Sequence, residues 1–560
     1  MSRTSAASAW GRPLIGRRTG VEIRPAALGS SALVRDYVRG APALAPFYAG
    51  SPFDPDAYRR KAAAVHARLP AVERGRMRPA LQPTTTAAAD RLERVLAGEG
   101  VAVTTGQQTG LFGGPLYTLH KVLSAVRLAS ELEQVLEQPV IPLFWIASDD
   151  HDWAEVDHTL VVDAQNDLLR IRIEQPGDAA PLPMSARRTG DEVRPALDAL
   201  AAALPDTAYS GPLLGALREA YRPEATMAAA FQALFAHILR DVDVVLVDPS
   251  DRALKGASAP LVLREIDATD THAAMLGRQT ERLERAGYHA QVAIGRDAAN
   301  VFAHDPAGRD RLVRDRDGWS LRRTRRRLAD AELREWIERE PAAFSPNVLF
   351  RPVLESALLP TVAYVGGPGE VAYFGQIGCL FRSHGMEPPL VVPRASLTII
   401  ESKVRRLLDR FEMEPADFQR PFHEVLTERM RASLPATVTG PLAELRQSIE
   451  AGYDRLMEGA ASIDPTLEGW VRAVRNRALS QVHDAEKKVT RHKRKRSEIE
   501  VRQLGRAAAN LAPGGTAQDR ALNATPYLAR YGPGLIHDLL DAIDLRPDRP
   551  APDWTGVVCD

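Results

Sequence analysis

Cysteine is nearly absent from this chain of 560 residues, which carries only Cys379 and Cys559. Two thiols cannot build a disulfide framework or a cysteine-rich zinc module. An excess of charge is also missing, because 72 Lys and Arg balance 72 Asp and Glu. A neutral chain is a poor coat for nucleic acid or an anionic membrane, although it can hold a local anion site. The longest apolar stretch, around Val140 to Ala147, falls far short of the roughly 18 residues a membrane helix needs. The opening MSRTSAASAWGRPLIGRR lacks the apolar core of an export signal. The expectation is a cytoplasmic protein with neither a membrane nor a nucleic-acid partner.

Lysine is scarce as well. Only Lys61, Lys121, Lys255, Lys403, Lys487, Lys488, Lys493 and Lys495 stand against a background of Arg. GC-rich codons favour Arg and Ala, so lysines that persist rank as candidates for positions needing a compact ammonium. Otherwise the composition is globular, with 45% hydrophobic and 26% charged residues. The length suggests about three or four domain-sized units.

The first thirty residues show no period and read as an irregular arm; helical patterning then runs to about Gly98. Val101–Thr105 reads as a buried strand, Gly106–Pro115 as a glycine-rich loop, and Leu116–Glu133 as a helix. Val140–Ala147 is a second buried strand, so the order is a βαβ unit and the sheet is parallel. His158–Val162 and Leu168–Ile173 suit a hairpin around Asn166-Asp167. Further short strands are expected at Asp243–Val247, Gln291–Ile294, Val301–Ala303, Arg311–Arg314, Thr361–Val365 and Pro389–Val392. After Ser396 the pattern is helical almost throughout. Apolar stripes from Leu442 to Leu456 and from Leu467 to Val489, broken at Asp464-Pro465, predict an antiparallel helical hairpin or coiled coil.

Three loops follow buried strands, where open α/β sheets bind ligands. The first holds Gly106, Gln107 and Gln108 and leads to Tyr117, His120 and Lys121, a set suited to an anion. It is neither a Walker A loop nor a GxGxxG fingerprint. The second runs from Ser148 to His158 and packs four aspartates and two histidines into eleven residues. Asp150, His151 and Asp152 there suit acid–base work or an ammonium, and His158 suits substrate binding. The third, Gly366, Gly367, Gly369 and Glu370 followed by Tyr373 and Gln376, lets a ligand lie against backbone. A fourth region, Arg394–Lys403, adds Lys403 as a binding candidate. The basic run Lys487–Arg496 reads as a solvated helix face and Cys379 as a buried structural thiol.

The stretches TTGQQTGLFGGPLYTLHK, PLFWIASDDHDWAEVDH, LLPTVAYVGGPGEVAYFGQ and PGGTAQDRALNATPYLARYGP occur in this order. Together they resemble the bacillithiol-biosynthesis cysteine-adding enzymes, the BshC family, from about Pro46 to Leu540. The resemblance implies an α/β fold: a Rossmann-like parallel-sheet core with two connecting-peptide insertions and a C-terminal coiled-coil domain that dimerises. The expected boundaries are an arm over 1–45, a core over 46–395 with insertions near 156–235 and 290–345, a helical domain over 396–515, and a segment over 516–560 that packs back on the core. It also implies a ligase that joins cysteine to glucosaminyl-malate by an amide bond, the last step of bacillithiol synthesis. The chain departs from the family pattern at Thr109, Gly113 and Asp149, where Ala, Thr and Glu are common.

Amide formation needs an activated carboxyl group, so ATP or another nucleotide is the expected cofactor, with no resident metal. On this reading Gly106–Gln108, His120 and Lys121 hold phosphates, and Gly366–Gly369 hold nucleoside or sugar. Asp150, His151 and Asp152 bind the cysteine ammonium or take the proton of the attacking amine. The residues themselves leave two alternatives open. One is a metal-dependent hydrolase or amidase using Asp150, His151, Asp157 and His158. The other is a non-catalytic, nucleotide-binding dimeric scaffold.

Overall fold

Two apolar runs organise the chain. Each feeds residues alternately to both faces of a sheet, as strands buried on two sides must. A computed structural model describes residues 14–26, 28, 31–174, 180–295, 297–316 and 318–546; Cys559 and the first thirteen residues of the arm lie outside them. The main sheet contains β1 (Leu81–Pro83), β2 (Val101–Gln107), β3 (Val140–Ile146), β4 (Val245–Val247), β5 (Thr361–Gly366) and β6 (Leu390–Pro393), in the spatial order β6-β5-β2-β3-β4-β1. The pairs β2–β3, β3–β4, β2–β5 and β5–β6 are parallel, with Thr104 opposite Leu143 and Val103 opposite Ala363. The chain leaves β2 for β3 and β4 on one side, then returns to place β5 and β6 on the other.

Val101, Val103, Phe144 and Ile146 enter one core, and Ala102, Ile141, Leu143 and Trp145 enter the other. Helix α1 (Leu116–Leu136) covers the first face through Leu119, Val122 and Leu123. On the second face lie α2 (Arg252–Asp267), α3 (Thr269–Arg285) and α4 (Pro368–Ser383). Phe144 stacks on Phe235 at 5.5 Å, and truncating it to Ala would cost about 3–5 kcal/mol.

The hairpin of His158–Val162 and Leu168–Arg172 forms around Asn166, whose φ of 66° suits the turn. A separate antiparallel sheet runs from Ala298 to Pro346. Four local expectations are corrected. The arm is not irregular throughout, since Leu14–Ile15 and Glu22–Pro25 are strands. Leu397–Ile400 is a strand rather than the start of the helical region, and pairs antiparallel with Glu22–Pro25. Its partner lies far away in sequence, so no local pattern marks it. Leu81–Pro83 interrupts the helical stretch before Gly98 as an antiparallel edge strand on β4. Gln291–Ile294 is irregular. There the Gln376 side chain replaces a neighbouring strand: Oε1 accepts from Gln291 N and Val292 N, and Nε2 donates to Val292 O.

The chain divides into two compact units. The first comprises residues up to Ile400 and from Asp519 onward; the second is Glu401–Gln518. In the first, Asn523 Nδ2 donates to Phe112 O and Gly114 O at 3.1 and 2.9 Å, fastening the glycine-rich loop. The second is helical and contains α5 (Ala436–Ile463) and α6 (Leu467–Arg496), paired through Arg475–Asp454 at 2.7 Å. Asp464 caps the connection by accepting from Thr466 N and Oγ1.

Candidate active site

The strand order reverses between β2 and β5, and a cavity of about 560 Å³ opens there, at the carboxyl ends of the parallel strands. This is where the geometry of an open α/β sheet leaves a crevice, because the loops after neighbouring strands leave in opposite directions. Its wall is drawn from the loops after β2, β3 and β5, from α1, and from the Ala298–Pro346 sheet.

Lys121 anchors one side. Its buried Nζ donates to Gly106 O at 2.6 Å and Gln107 Oε1 at 3.1 Å and pairs with Glu370 from α4. Glu370 also accepts from Tyr364 Oη at 2.5 Å and Gly367 N at 2.7 Å. Burial pushes this carboxyl up, but Lys121 and those hydrogen bonds outweigh it and hold Glu370 below its usual range. Arg351 donates to Tyr364 Oη and Tyr373 Oη and pairs with Glu355 at 2.6 Å. Gln107 Nε2 donates to Tyr117 Oη at 2.8 Å, and the Arg394 guanidinium lies 5.4 Å from the Tyr117 ring centroid.

The acidic loop after β3 supplies a second group of lining residues. Asp150 accepts from Gln108 Nε2 at 2.9 Å and His151 N at 2.7 Å, with Arg309 Nη1 at 3.6 Å. Burial acts to raise its pKa, but these partners prevail and hold the carboxyl well below the ordinary range. Glu155 behaves oppositely: although the residue is exposed, desolvation of its carboxyl, with Asp152 and Asp150 nearby, raises it despite a hydrogen bond from Gln108. Asp149 pairs with Lys255 at 2.7 Å. Arg309 is held by Ser345 Oγ, Pro346 O and the face of Phe302, 3.9 Å from the ring centroid.

Of the residues singled out from sequence, Gly106, Gln107, Gln108, Tyr117, Lys121, Asp150, Gly367, Gly369, Glu370 and Tyr373 line this cavity. The others do not. His120 is fully buried beside Asp519, with Nδ1 3.6 Å from its carboxylate, and burial lowers its pKa. Consecutive helical residues point about 100° apart, so His120 and Lys121 cannot both face the cavity. His151 sits behind Asp150, with Nδ1 3.0 Å from Arg309 Nη1, while Asp152 is exposed outside the lining. The short helix Trp153–Val156 contributes only Glu155 to the lining. Asp157 is buried between His158 and Arg172, both at 2.7 Å, so His158 is bound into that structural network. Among the described residues Asp150, His151, Asp157 and His158 form no metal-ligating group. Gly366 is required by packing, since a Cβ there would meet Glu370 Cβ at 3.0 Å. At Gly367 and Gly369 a Cβ would meet only ordinary contacts, which leaves their bare backbone to the cavity. Lys403 is exposed and belongs to the second unit.

Sequence reasoning missed Glu155, Arg309, Arg351 and Arg520 as lining groups. It also missed Asp519, which binds Arg394 at 2.6 Å and Ser396 Oγ at 2.8 Å beneath the site. Cys379 is buried, and burial pushes its thiol up, which fits a structural role.

Fold and cavity together define a Rossmann-like α/β protein with a cavity lined by charged side chains at its switch point. The chain belongs to the BshC family of bacillithiol biosynthesis. Residues 21–395 match its N-terminal Rossmann-like domain and residues 397–546 its C-terminal coiled-coil domain. Similar proteins carry the name "Putative cysteine ligase BshC". That of Salinibacter ruber is 33% identical over 95% of this chain and 98% of its own length. That of Koribacter versatilis is 34% identical over 82% and 84%, and that of Geobacillus thermodenitrificans 30% identical over 93% and 97%. Among the described residues no helix is long and apolar enough to cross a membrane.

Proposed function

We propose that this protein is a cysteine ligase that forms the amide bond between cysteine and the amine of glucosaminyl-malate, with nucleotide-dependent activation of the carboxyl group. The observation that carries this reading is a cavity lined by groups of both charges. Arg394 and Arg520 are among its cations, and Asp150 and Glu155 among its carboxylates. A reaction between an activated acyl group and an amine needs cations for the first and a carboxylate for the second.

A bound nucleotide supplies the phosphoryl or adenylyl group that makes the carboxylate a reactive acyl donor. Arg394 and Arg520 fit its phosphates, Lys121 fixes the Gly106–Gln107 backbone beneath them, and the bare backbone at Gly367 and Gly369 fits a flat nucleoside or sugar. Asp150, ionised because of Gln108, His151 and Arg309, holds the ammonium of cysteine. Its low basicity makes it a poor proton acceptor. Glu155, with its raised pKa, takes the proton as the amine nitrogen bonds to the acyl carbon and the phosphate-bearing group departs. The same reading carries a homodimer built on α5 and α6, whose Leu445, Leu456 and Trp470 are exposed.

Calorimetric titration of the full chain tests the assignment. Arg520→Met weakens nucleotide binding, and Asp150→Asn weakens cysteine binding while leaving nucleotide binding intact. Unchanged affinities in both variants would overturn it.

A further inference from the structure

Behind the cavity, three side chains converge in the second core. Glu265 on α2, His272 on α3 and His384 just after α4 place ligand-capable atoms within 4.8 Å of one another. Their exposures are 0%, 2% and 7%. His272 Nδ1 lies 2.5 Å from Glu265 Oε2, and His384 Nε2 lies 3.9 Å from the same oxygen. Both ring nitrogens of His384 are buried without a hydrogen-bond partner. Leaving a buried polar group unsatisfied costs about 1–3 kcal/mol.

We propose that Glu265, His272 and His384 bind a divalent cation of the zinc class as a structural site. Two imidazoles and one carboxylate are a donor set zinc accepts, with a fourth position for another ligand. Bound metal would satisfy His384 and compensate the buried Glu265 charge. Tetrahedral zinc with bonds of about 2.0–2.1 Å places its ligand atoms about 3.4 Å apart. The His272–Glu265 contact of 2.5 Å would therefore open by about an ångström and the His384–Glu265 distance of 3.9 Å would close by about half an ångström, within reach of side-chain rotation. The outer shell is already built: Glu265 Oε1 accepts from Asn300 Nδ2 at 2.8 Å, and Asn300 Oδ1 accepts from Asn347 Nδ2 at 2.8 Å. Asn347 lines the cavity. The ion would staple α2 and α3 to the end of α4, the helix whose first turn supplies Gly369 and Glu370. No short sequence motif marks this group, because its members are spread from 265 to 384.

The test loads chelator-stripped, full-length protein with zinc, removes the excess and measures metal by mass spectrometry. About one zinc per chain should remain in the wild type and in Asp150→Asn, but less than about a tenth in His384→Ala or Glu265→Gln. Asn300→Ala should weaken retention about 10–100-fold. X-ray absorption of the loaded wild type should show two imidazoles, oxygen and no sulfur, and this reading stands even where a variant fails to fold. No retained zinc in the wild type, equal zinc in a folded His384→Ala, or a sulfur-containing shell would overturn the proposal.

Discussion

Lys121 and Glu370 form an ion pair across the point where the sheet reverses its strand order. One comes from the helix after β2 and the other from the helix after β5, so the pair joins the two halves of the sheet at the floor of the cavity. Lys121 is 3% exposed, and removing its partner strands a buried cation. Glu370→Gln should therefore destabilise the protein by about 3 kcal/mol, the low end for a buried pair because Glu370 keeps some solvent contact. Adding Lys121→Met should recover part of that stability without recovering activity. Urea unfolding of the two single variants and the double variant measures the coupling.

The two carboxylates of the acidic wall should respond differently to pH. Asp150 lies well below the usual carboxylate range and stays ionised through any practical assay. Glu155 lies above its ordinary value, so acidification protonates it first and removes the base. Activity should rise with pH through a limb above the normal Glu range. Glu155→Gln should abolish that limb and lower turnover about 10²-fold. A pH–rate profile whose limb survives in Glu155→Gln would contradict this division.

Asp150→Asn should reduce kcat/KM by about 10²-fold, mainly through KM for cysteine if the carboxylate binds an ammonium. His120→Ala should behave differently, since His120 reaches the site only through Asp519 and Arg394. Thermal unfolding beside steady-state kinetics separates the two: His120→Ala shifts Tm more than KM.

Asp519 and Arg394 are both almost fully buried. Burial pushes Asp519 up, but Arg394 outweighs it and holds the carboxyl below its unfolded value. The pair's stabilisation is therefore present above about pH 4 and lost as pH falls toward the folded value. Asp519→Asn should lower stability by about 3–5 kcal/mol at neutral pH, with the difference narrowing in acid. Denaturation at several pH values checks the sign.

Replacing Leu445, Leu456 and Trp470 with Lys should convert a dimer to monomers. Light scattering across a concentration series reads the result directly. An unchanged mass would remove α5 and α6 from the interface.

The three cavity-lining loops were legible because each follows a strand buried on both faces, such as Val140–Ile146. Scarce lysine was informative too: Lys61, Lys121 and Lys255 are all buried. Facing direction was harder to read. His120 and Lys121 look equivalent as letters, but one step of helix sends them to different surroundings. Asp157 and His158 extend an acidic motif in sequence and leave the site in space. Arg309 and Asp519 gave no local signal, because each acquires meaning only from a partner far away in the chain. Strand Leu397–Ile400 was hidden for the same reason.

The most direct measurement combines the purified chain with cysteine, glucosaminyl-malate and ATP and follows products by mass spectrometry. The proposed function predicts bacillithiol appearing in step with AMP or ADP, and its slower appearance in Asp150→Asn at limiting cysteine. A folded protein that binds the sugar-malate and the nucleotide yet forms no amide product would contradict it.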